Sequence, residues 1–349
     1  METLDFDETA DEFRRQIFDL TTMLDIGKTL SASLSLSDIS DIIKLTCSGH
    51  FHASDVNLIL PVENAGQTFF NYPTEKDEMM FGPNHPLMQF FKDNQRVIHV
   101  SELEEMTALK DVFKRLHNDA IELIVPMRSK FQINGILCLA GKEKAFGEHY
   151  TQEEIRYIDI IASFASVAIE NARLYEMATL DRKTGLYNHG FFQNRLAEEI
   201  ERAERYKTDL SLMMLDLDHF KRVNDSYGHI IGDNVLIEIA HTLKKQVRTF
   251  DIPARFGGEE FTIILPETDP KSALIVAERL RKAVAQLSFK VQNKTFSITT
   301  SIGVTSFVHS TSLTDDLFIE QADRALYLAK AKGRNRIILF EEITEKVQA

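Results

Sequence analysis

Two groups of carboxylates lie at the ends of predicted strands, where they could bind a metal ion. Asp216 and Asp218 follow an almost continuous apolar run, residues 211–215, and Glu259 and Glu260 follow a Gly-Gly pair. The apolar run predicts a buried central strand, and two glycines between β-type flanks predict a tight hairpin. Because hard cations prefer carboxylate oxygens, the two groups together indicate a site for a divalent metal.

The residues after Asp218 carry groups that suit a nucleotide. Lys221 offers a positive charge for phosphate, and Asn224 with Asp233 offers an amide and a carboxylate for a purine edge. Taken singly, most of these residues would be helix caps or solvated surface groups, and Glu259 could belong to a solvated turn. Their concentration in short segments favours a binding site.

Alternating helix and strand patterns surround these segments. Apolar periodicity predicts helices over residues 231–247, 271–287 and 314–332, strands over 211–215, 296–307 and 336–340, and a hairpin over 255–265. Helices and strands interleaved around one sheet are typical of an α+β or α/β unit.

The first half of the chain has the pattern of a separate unit. We predict helices over 11–33 and 35–47, strands over 56–60, 121–126 and 133–140, a turn at 64–66 and an irregular stretch over 71–86. With 349 residues, the chain is long enough for two domains.

A long helix is predicted over residues 151–180, and two apolar stripes run along it. One stripe passes from Ile158 to Tyr175 with alternating spacings of three and four, and the other contains Ile160, Phe164, Val167 and Leu174. Both stripes could pack within one subunit as a broad face. Alternatively, one stripe packs within its own subunit and the other contacts the same helix of a second subunit.

Composition excludes some classes of partner. The formal net charge of −13 has the wrong sign for a protein that binds nucleic acid by charge alone. A polyphosphate substrate would therefore need a metal and a few placed Lys or Arg residues. Cys47 and Cys138 are isolated, which predicts no disulfide framework and no zinc site. The acidic N-terminus and the lack of a long apolar run lead us to expect a cytoplasmic protein without a membrane span.

Five ordered blocks in residues 178–342 resemble the GGDEF diguanylate cyclase domain. The resemblance implies an α+β sandwich of the palm-type nucleotidyl-cyclase class, and condensation of two GTP into cyclic di-GMP and two pyrophosphates. The blocks are Asp181-x-x-Thr184-Gly185-Leu186-x-Asn188; Asp216-x-Asp218-x-Phe220-Lys221-x-x-Asn224-Asp225 with Gly228-His229 and Gly232-Asp233; Gly257-Gly258-Glu259-Glu260-Phe261; Thr299-x-Ser301-Ile302-Gly303-Val304; and Ala325-Leu326-Tyr327-x-Ala329-Lys330-x-x-Gly333-Arg334-Asn335.

The resemblance also implies roles for individual residues. Asp216, the main-chain carbonyl of Leu217 and Glu259 would hold Mg²⁺, for which Mn²⁺ could substitute, and Glu260 would act as a ligand or proton acceptor. The catalytic residues would thus be Asp216, Glu259 and Glu260. Nucleotide-binding residues would be Asn224 and Asp233 on guanine; Lys221, Lys330 and Arg334 on the β- and γ-phosphates; amides around His219 and Phe220; and the Gly257–Gly258 backbone.

Two features lie outside this active-site pattern. Arg248-x-x-Asp251 matches the RxxD pattern by which many relatives bind their product, and Arg279 could join it from a second subunit. Product inhibition is therefore expected. Lys183 stands where the family usually has Leu, and we expect it to lie outside the nucleotide site with little catalytic effect.

The rest of the chain resembles a GAF sensory domain more loosely. The expected domains are an N-terminal helix over 1–21, a GAF domain over 22–176 joined by the long signalling helix, and the GGDEF domain over 177–349. A small ligand of unknown identity could occupy the GAF domain. Because the product contains two linkages, two cyclase domains must face each other, and we expect the Ile158 stripe to form the seam of a homodimer.

Two other functions remain at this point. A degenerate domain could only sense GTP or cyclic di-GMP, and a scaffold could dimerise through its helix. Degenerate relatives have usually lost the metal-binding acids, whereas Asp216, Glu259 and Glu260 are all present here. The sequence therefore favours an active enzyme that binds no nucleic acid.

Overall fold

The computed structural model describes residues 14, 17, 20–64, 67–72, 79–82, 84–129, 132–292, 294–307 and 314–341. The chain forms two compact units, Met1–Tyr175 and Glu176–Ala349. Most of the predicted N-terminal helix over 1–21 and the tip of the predicted turn over 64–66 lie outside the described residues. No helix in the described part of the chain is long and apolar enough to cross a membrane.

The first unit is built on an antiparallel sheet of order β1-β7-β6-β5. Its strands are β1 (Val56–Ile59), β5 (Ile98–His99), β6 (Ile121–Arg128) and β7 (Ile133–Ala140), and a second sheet contains β2 (Pro61–Asn64), β3 (Gln67–Tyr72) and β4 (Met79–Phe81). The strands predicted over 56–60, 121–126 and 133–140 are confirmed. The stretch predicted as irregular over 71–86 contains β4, so that prediction is wrong for residues 79–81.

Helices surround these sheets in the first unit. They are α1 (residues 20–32), α2 (Leu36–His50), α3 (Pro86–Asp93), α4 (Lys110–Asn118) and α5 (Gln152–Thr179). Ser35 caps α2 by accepting a hydrogen bond from the Asp38 amide, and Pro86 occupies the first turn of α3, where its missing N–H costs nothing.

The two apolar stripes of α5 have different environments. In the first stripe, Ile158, Ile161, Ala165, Ala168 and Ala172 are buried in the core of the first unit. In the second, Ile160, Val167 and Leu174 are 41%, 50% and 54% exposed. The expectation that the Ile158 stripe forms a subunit seam is wrong for these buried residues, because they already fill their own core.

The second unit is a five-stranded sheet of order β14-β13-β8-β10-β9, with β8 at its centre. The strands are β8 (Leu210–Leu217), β9 (Ile252–Gly257), β10 (Glu260–Pro266), β13 (Thr300–Ser306) and β14 (Ile337–Leu339), and β11 (Phe289–Val291) with β12 (Lys294–Phe296) forms a separate ribbon. The strand predicted over 296–307 is therefore wrong at its start, since Phe296 belongs to the ribbon and the sheet strand begins at Thr300.

Helices cover both faces of this sheet. Met213, Leu215 and Leu217 of β8 pack with the first layer, and Leu210, Leu212 and Met214 pack with the second. The first layer contains α7 (Phe220–Tyr227), α8 (His229–Gln246) and α9 (Pro270–Gln286), and the second contains α6 (His189–Tyr206) and α10 (Asp315–Ala331). The unit is thus the predicted α+β sandwich, and burial on both faces explains why β8 is almost entirely apolar.

Close packing fixes α10 against the sheet. Gly303 of β13 faces this helix, and a Cβ at this position would overlap the Ala322 carbonyl oxygen and the Leu326 amide nitrogen. The backbone of β13 therefore contacts the backbone of α10 directly at Gly303. The close approach fixes the distance from the sheet to the last turns of α10, which carry Lys330.

Candidate active site

Three carboxylates meet at one end of the central strand. Asp216 of β8 lies directly opposite Glu260 of β10 in the antiparallel register, so their side chains project from the same face of the sheet. Gly258 and Glu259 form the two-residue turn between β9 and β10, and Gly258 has a φ of +47°. The predicted hairpin is confirmed, with its turn one residue later than the Gly-Gly pair.

The backbone of the hairpin turn is tied to the end of β8. The amide of Leu217 donates to the Glu259 carbonyl oxygen at 3.3 Å. This bond places Leu217, predicted to offer its carbonyl to the metal, beside the turn that carries Glu259. Asp216, Leu217, Glu259 and Glu260 are therefore brought to one edge, as the sequence predicted.

A lysine from α10 enters this acidic cluster. Lys330 Nζ lies 2.7 Å from Asp216 Oδ2, and the side chains of Lys330 and Asp216 are 31% and 11% exposed. Arg334, whose charge also acts on Asp216, follows on the loop after α10. Both predicted phosphate ligands from the end of the chain thus reach the carboxylate edge.

The cluster carries more negative charge than its lysine can balance. Burial raises the pKa of Asp216, and Lys330 opposes this shift only in part. The pKa values of Glu259 and Glu260 are also raised, first by burial and then by the charge of Asp216. Burial and mutual repulsion thus make the ionised forms of these carboxylates costly despite Lys330, and a bound cation would relieve that cost.

The carboxylates do not form a closed cage. In the described ranges, no three His, Cys, Asp or Glu side chains converge as a ready-made metal site. Mg²⁺ commonly takes only one or two protein carboxylates and completes its shell with water and substrate phosphates. The donor set therefore fits a cation that binds together with a nucleotide.

Asp218, in contrast, has a structural role. Its carboxylate accepts hydrogen bonds from Thr299 Oγ1 at 2.6 Å, Ser301 Oγ at 2.7 Å and the Asn335 amide at 3.0 Å. Asp218, predicted as an oxygen ligand alongside Asp216, thus accepts hydrogen bonds that fasten β13 and the loop after α10 to the end of β8.

The segment after β8 turns sharply into α7. His219 takes a left-handed conformation with φ of +61° and directly precedes the first helical residue, Phe220. The Arg222 amide donates to the His219 carbonyl oxygen at 2.9 Å. The amides of Phe220 and Lys221 precede any intrahelical acceptor, so they can serve as donors for an anion at the helix N-terminus. Lys221 is exposed in that turn, as its predicted role on phosphate requires.

The predicted purine-binding residues lie at the junction of α7 and α8. Gly232 is needed because a Cβ there would overlap Oδ1 of Asn224. Asp233 follows on α8, where its Oδ1 lies 2.5 Å from Nζ of Lys183. Lys183, which we expect to lie outside the nucleotide site, is thus paired with the residue predicted to bind guanine.

Arg255 holds this region together and was not singled out in the sequence. Its guanidinium donates to both carboxylate oxygens of Asp181, at 3.1 and 3.2 Å, and to the Gly258 carbonyl oxygen at 2.8 Å. Asp181 in turn accepts from the amide and hydroxyl of Thr184. The turn that carries Lys183 is thus joined to the hairpin turn that carries Glu259, and the side-chain bond across 74 residues left no local signal.

Comparison with known proteins agrees with this geometry. Residues 178–336 match the family model described as diguanylate cyclase, GGDEF domain. The chain is 33% identical over 336 residues to diguanylate cyclase A of Treponema denticola, covering 93% of this chain and 90% of that protein. The chain belongs to the GGDEF diguanylate cyclase family. It is an enzyme of that class, a diguanylate cyclase.

Other relatives match parts of this cyclase. Diguanylate cyclase DgcP of Pseudomonas aeruginosa is 32% identical over 296 residues, covering 80% of this chain and 43% of that protein. A solved structure of the coiled coil and GGDEF domain of DgcB from Caulobacter crescentus, in complex with c-di-GMP, is 30% identical and covers 54% of this chain and all of that one, with a TM-score of 0.49.

A second polar cluster of the cyclase lies between α8 and β9. The Arg248 amide donates to Asp251 Oδ2 at 2.7 Å, and burial raises the pKa of this carboxyl group against the charges of Arg248 and Arg279. Arg279 donates from Nη2 to the Gln246 carbonyl oxygen at 2.5 Å. The structure therefore brings all three predicted inhibitory-site residues together within one chain.

Proposed function

We propose that this cyclase condenses two GTP molecules into cyclic di-GMP and two pyrophosphates as a Mg²⁺-dependent homodimer, controlled by its N-terminal unit and by its own product. The observation that carries the proposal is that Asp216, Glu259 and Glu260 lie with Lys330 at one sheet edge. An uncompensated group of carboxylates beside a helix N-terminus suits a cation bound to polyphosphate.

Asp216, the Leu217 carbonyl, Glu259 and Glu260 would hold the cation, and Mn²⁺ could substitute for Mg²⁺. When bound, the cation would neutralise charge on the triphosphate and favour attack by a 3′-hydroxyl. Glu260 would act as a ligand of the cation or as the acceptor of the proton of that hydroxyl.

The remaining residues orient the nucleotide. Lys330 would exchange its bond to Asp216 for one to a phosphate, and Lys221 and Arg334 would add charge on the β- and γ-phosphates. Amides at His219 and Phe220 would donate to phosphate oxygens, and the Gly257–Gly258 backbone lets the nucleotide approach closely. Asn224 and Asp233 would bind guanine. These contacts place the α-phosphate for in-line displacement of pyrophosphate.

One domain can hold only one of the two GTP molecules. Each 3′-hydroxyl must attack the α-phosphate held by the other domain, so two chains must bring their sites face to face. The exposed stripe of Ile160, Val167 and Leu174 on α5 supplies an apolar surface that a second α5 could cover. We assign the homodimer contact to this stripe.

Two controls would act on this dimer. The first unit, with its antiparallel sheet between helices, would serve as a GAF sensory domain whose ligand has yet to be identified, and α5 would carry its state to the cyclase unit. Product bound at Arg248, Asp251 and Arg279 would inhibit the enzyme. The paired guanidinium groups suit the phosphates of cyclic di-GMP.

The decisive experiment replaces Glu259 by Gln. Incubation with GTP and Mg²⁺, followed by separation of the nucleotides, should give cyclic di-GMP from the wild type and at least about 100-fold less from Glu259→Gln, the scale of one lost electrostatic contact in a transition state. The variant should unfold at a temperature no lower than the wild type, since an isosteric amide replaces a carboxylate of raised pKa. Full activity in Glu259→Gln would refute the metal assignment.

A further inference from the structure

The pair of Lys183 and Asp233 joins two segments that are 50 residues apart in sequence. Nζ of Lys183 lies 2.5 Å from Oδ1 of Asp233, and the two side chains are 39% and 43% exposed. An ion pair this exposed contributes little to folding, so a bound nucleotide can open or share it at low cost. What matters for function is therefore where this ion pair lies, at a residue proposed to bind guanine, and not how much it stabilises the fold.

The position of Lys183 is fixed by its turn. Asp181 Oδ1 accepts from the Thr184 amide at 2.9 Å and from its hydroxyl at 2.6 Å, and the Gly185 amide donates to the Asp181 carbonyl oxygen at 2.8 Å. Arg255 then connects Asp181 to the hairpin turn. The base of the Lys183 side chain is consequently held in a constant relation to the catalytic edge.

Guanine presents complementary groups to such a pair. The atoms O6 and N7 accept hydrogen bonds, and lysine or arginine is the usual protein partner of this edge in nucleic acids. N1–H and the N2 amino group donate, and N1–H lies directly beside O6. Because a carboxylate only accepts and an ammonium only donates, an adjacent carboxylate and ammonium match the N1–H and O6 of one guanine.

We propose that Lys183 is a specificity-determining residue for guanine, donating from Nζ to O6 and N7 while Asp233 accepts from N1–H and the N2 amino group. The inference rests on the proposed function, in which Asn224 and Asp233 bind the base. It adds a cationic contact at a position where the usual leucine of the family could make none.

The same contact discriminates against adenine. Adenine carries an amino group at the position of O6, so an ammonium there would face another donor. It also lacks the N1 hydrogen that Asp233 would bind. A hydrophobic residue at position 183 would tolerate both bases, whereas Lys183 would favour only one of them.

The test compares GTP with ATP as substrates of the full-length protein. Lys183→Met should raise KM for GTP about tenfold, leave kcat within about twofold, and lower the GTP-to-ATP ratio of kcat/KM by about tenfold, the value of one good contact to a base edge. Lys183→Arg should restore most of the ratio, because a guanidinium also donates to O6 and N7. Lys244→Met, which removes an equal charge from the exposed surface of α8, should behave as the wild type.

Asp233→Asn separates this inference from the proposed function. Weakened GTP binding in Asp233→Asn together with a wild-type ratio in Lys183→Met overturns the role of Lys183 alone. Unchanged GTP binding in both variants overturns the guanine site itself, and the inference with it. Equal effects of Lys183→Met and Lys244→Met would also overturn the inference, since the loss would then be one of general charge.

Discussion

At the scale of single residues, the carboxylates of the candidate site reduce stability at neutral pH. Asp216, Glu259 and Glu260 all have raised pKa values, so the folded protein binds their protons more tightly than the unfolded chain does. By linkage, the stability that these groups contribute is fully present below their unfolded pKa values and is lost as the pH rises through the folded ones. At neutral pH, this cluster therefore favours unfolding unless a cation binds.

Glu260→Gln should relieve part of this repulsion. In EDTA at neutral pH, we expect Tm to rise by about 2–4 °C, the shift that about 1 kcal/mol gives in a domain of this size. The gain should shrink as the pH is lowered through the raised pKa values, because the wild-type carboxyl groups then become neutral as well. Scanning calorimetry with and without Mg²⁺ measures both effects, and the cation should stabilise the wild type more than the variant.

Glu238→Gln is the matched control, since Glu238 is exposed on α8. Its Tm should equal that of the wild type at every pH. A Glu260→Gln protein that is less stable than the wild type in EDTA would contradict the electrostatic account of the cluster.

Most residues of the candidate site could be predicted from the sequence, but the pairs that they form with one another could not. The two acidic segments and Lys330 could be recognised because local turn chemistry and motif order mark them. The bond of Lys330 to Asp216 spans 114 residues, and the three donors to Asp218 are 81 to 117 residues away. Such bonds depend on how the sheet and α10 pack, which is why the sequence does not reveal the hydrogen bonds that Asp218 accepts or the pairing of Lys183 with Asp233.

At the scale of elements, α8, β9 and α9 together create a surface that no single segment contains. The turn after α8 presents Arg248, and α9 brings Arg279 to the carbonyl oxygen of Gln246 at the end of α8. Asp251 stabilises this turn, since its Oδ2 accepts a hydrogen bond from the Arg248 amide. In the proposed inhibition by product, the guanidinium groups of Arg248 and Arg279 would be the contacts for a product phosphate.

Arg248→Ala should release product inhibition. Loss of one charged hydrogen-bonding group from a binding site is worth about 1.5–3 kcal/mol, so the cyclic di-GMP concentration for half-inhibition should rise about 10-fold or more. Initial rates at increasing product concentration measure this shift, while kcat without product should stay unchanged. Arg205→Ala on α6 serves as the control for loss of an exposed arginine. An Arg248→Ala enzyme inhibited as strongly as the wild type would exclude the assignment.

Elements with clear periodicity were predictable, and those shaped by tertiary contacts were not. The predicted helices over 231–247, 271–287 and 314–332 correspond to α8, α9 and α10. Helix α6 was missed because ten of its 18 residues are charged or polar around a narrow apolar stripe of Phe192, Leu196 and Ile200. The strand over 296–307 was predicted too long because Thr299 leaves the ladder to bond Asp218 through its hydroxyl and carbonyl groups.

At the scale of the whole molecule, the proposed reaction requires a second copy of the chain, because one domain would hold only one GTP. Helix α5 places Ile160, Phe164, Val167, Asn171 and Leu174 at successive spacings of four and three, the pattern of a coiled-coil seam. The sequence reveals two candidate stripes and leads us to expect the Ile158 stripe as the seam. Both are apolar, so only packing within the first unit shows which one is already buried. Asn171 interrupts the exposed stripe with an amide, a device that fixes register in parallel coiled coils.

Val167→Glu should therefore separate the subunits. Each copy loses a buried valine contact worth about 1.5 kcal/mol, so two copies together should weaken the dimer about 100-fold. Sedimentation equilibrium measures this change, and cyclic di-GMP production per chain should fall and become dependent on protein concentration, while GTP binding to each chain persists. Leu45→Glu supplies the control, since Leu45 is 74% exposed on α2 and lies outside the stripe. A Val167→Glu protein that stays dimeric and fully active would move the subunit contact to another surface, because a charge in the middle of a dry helical seam cannot be accommodated without loss.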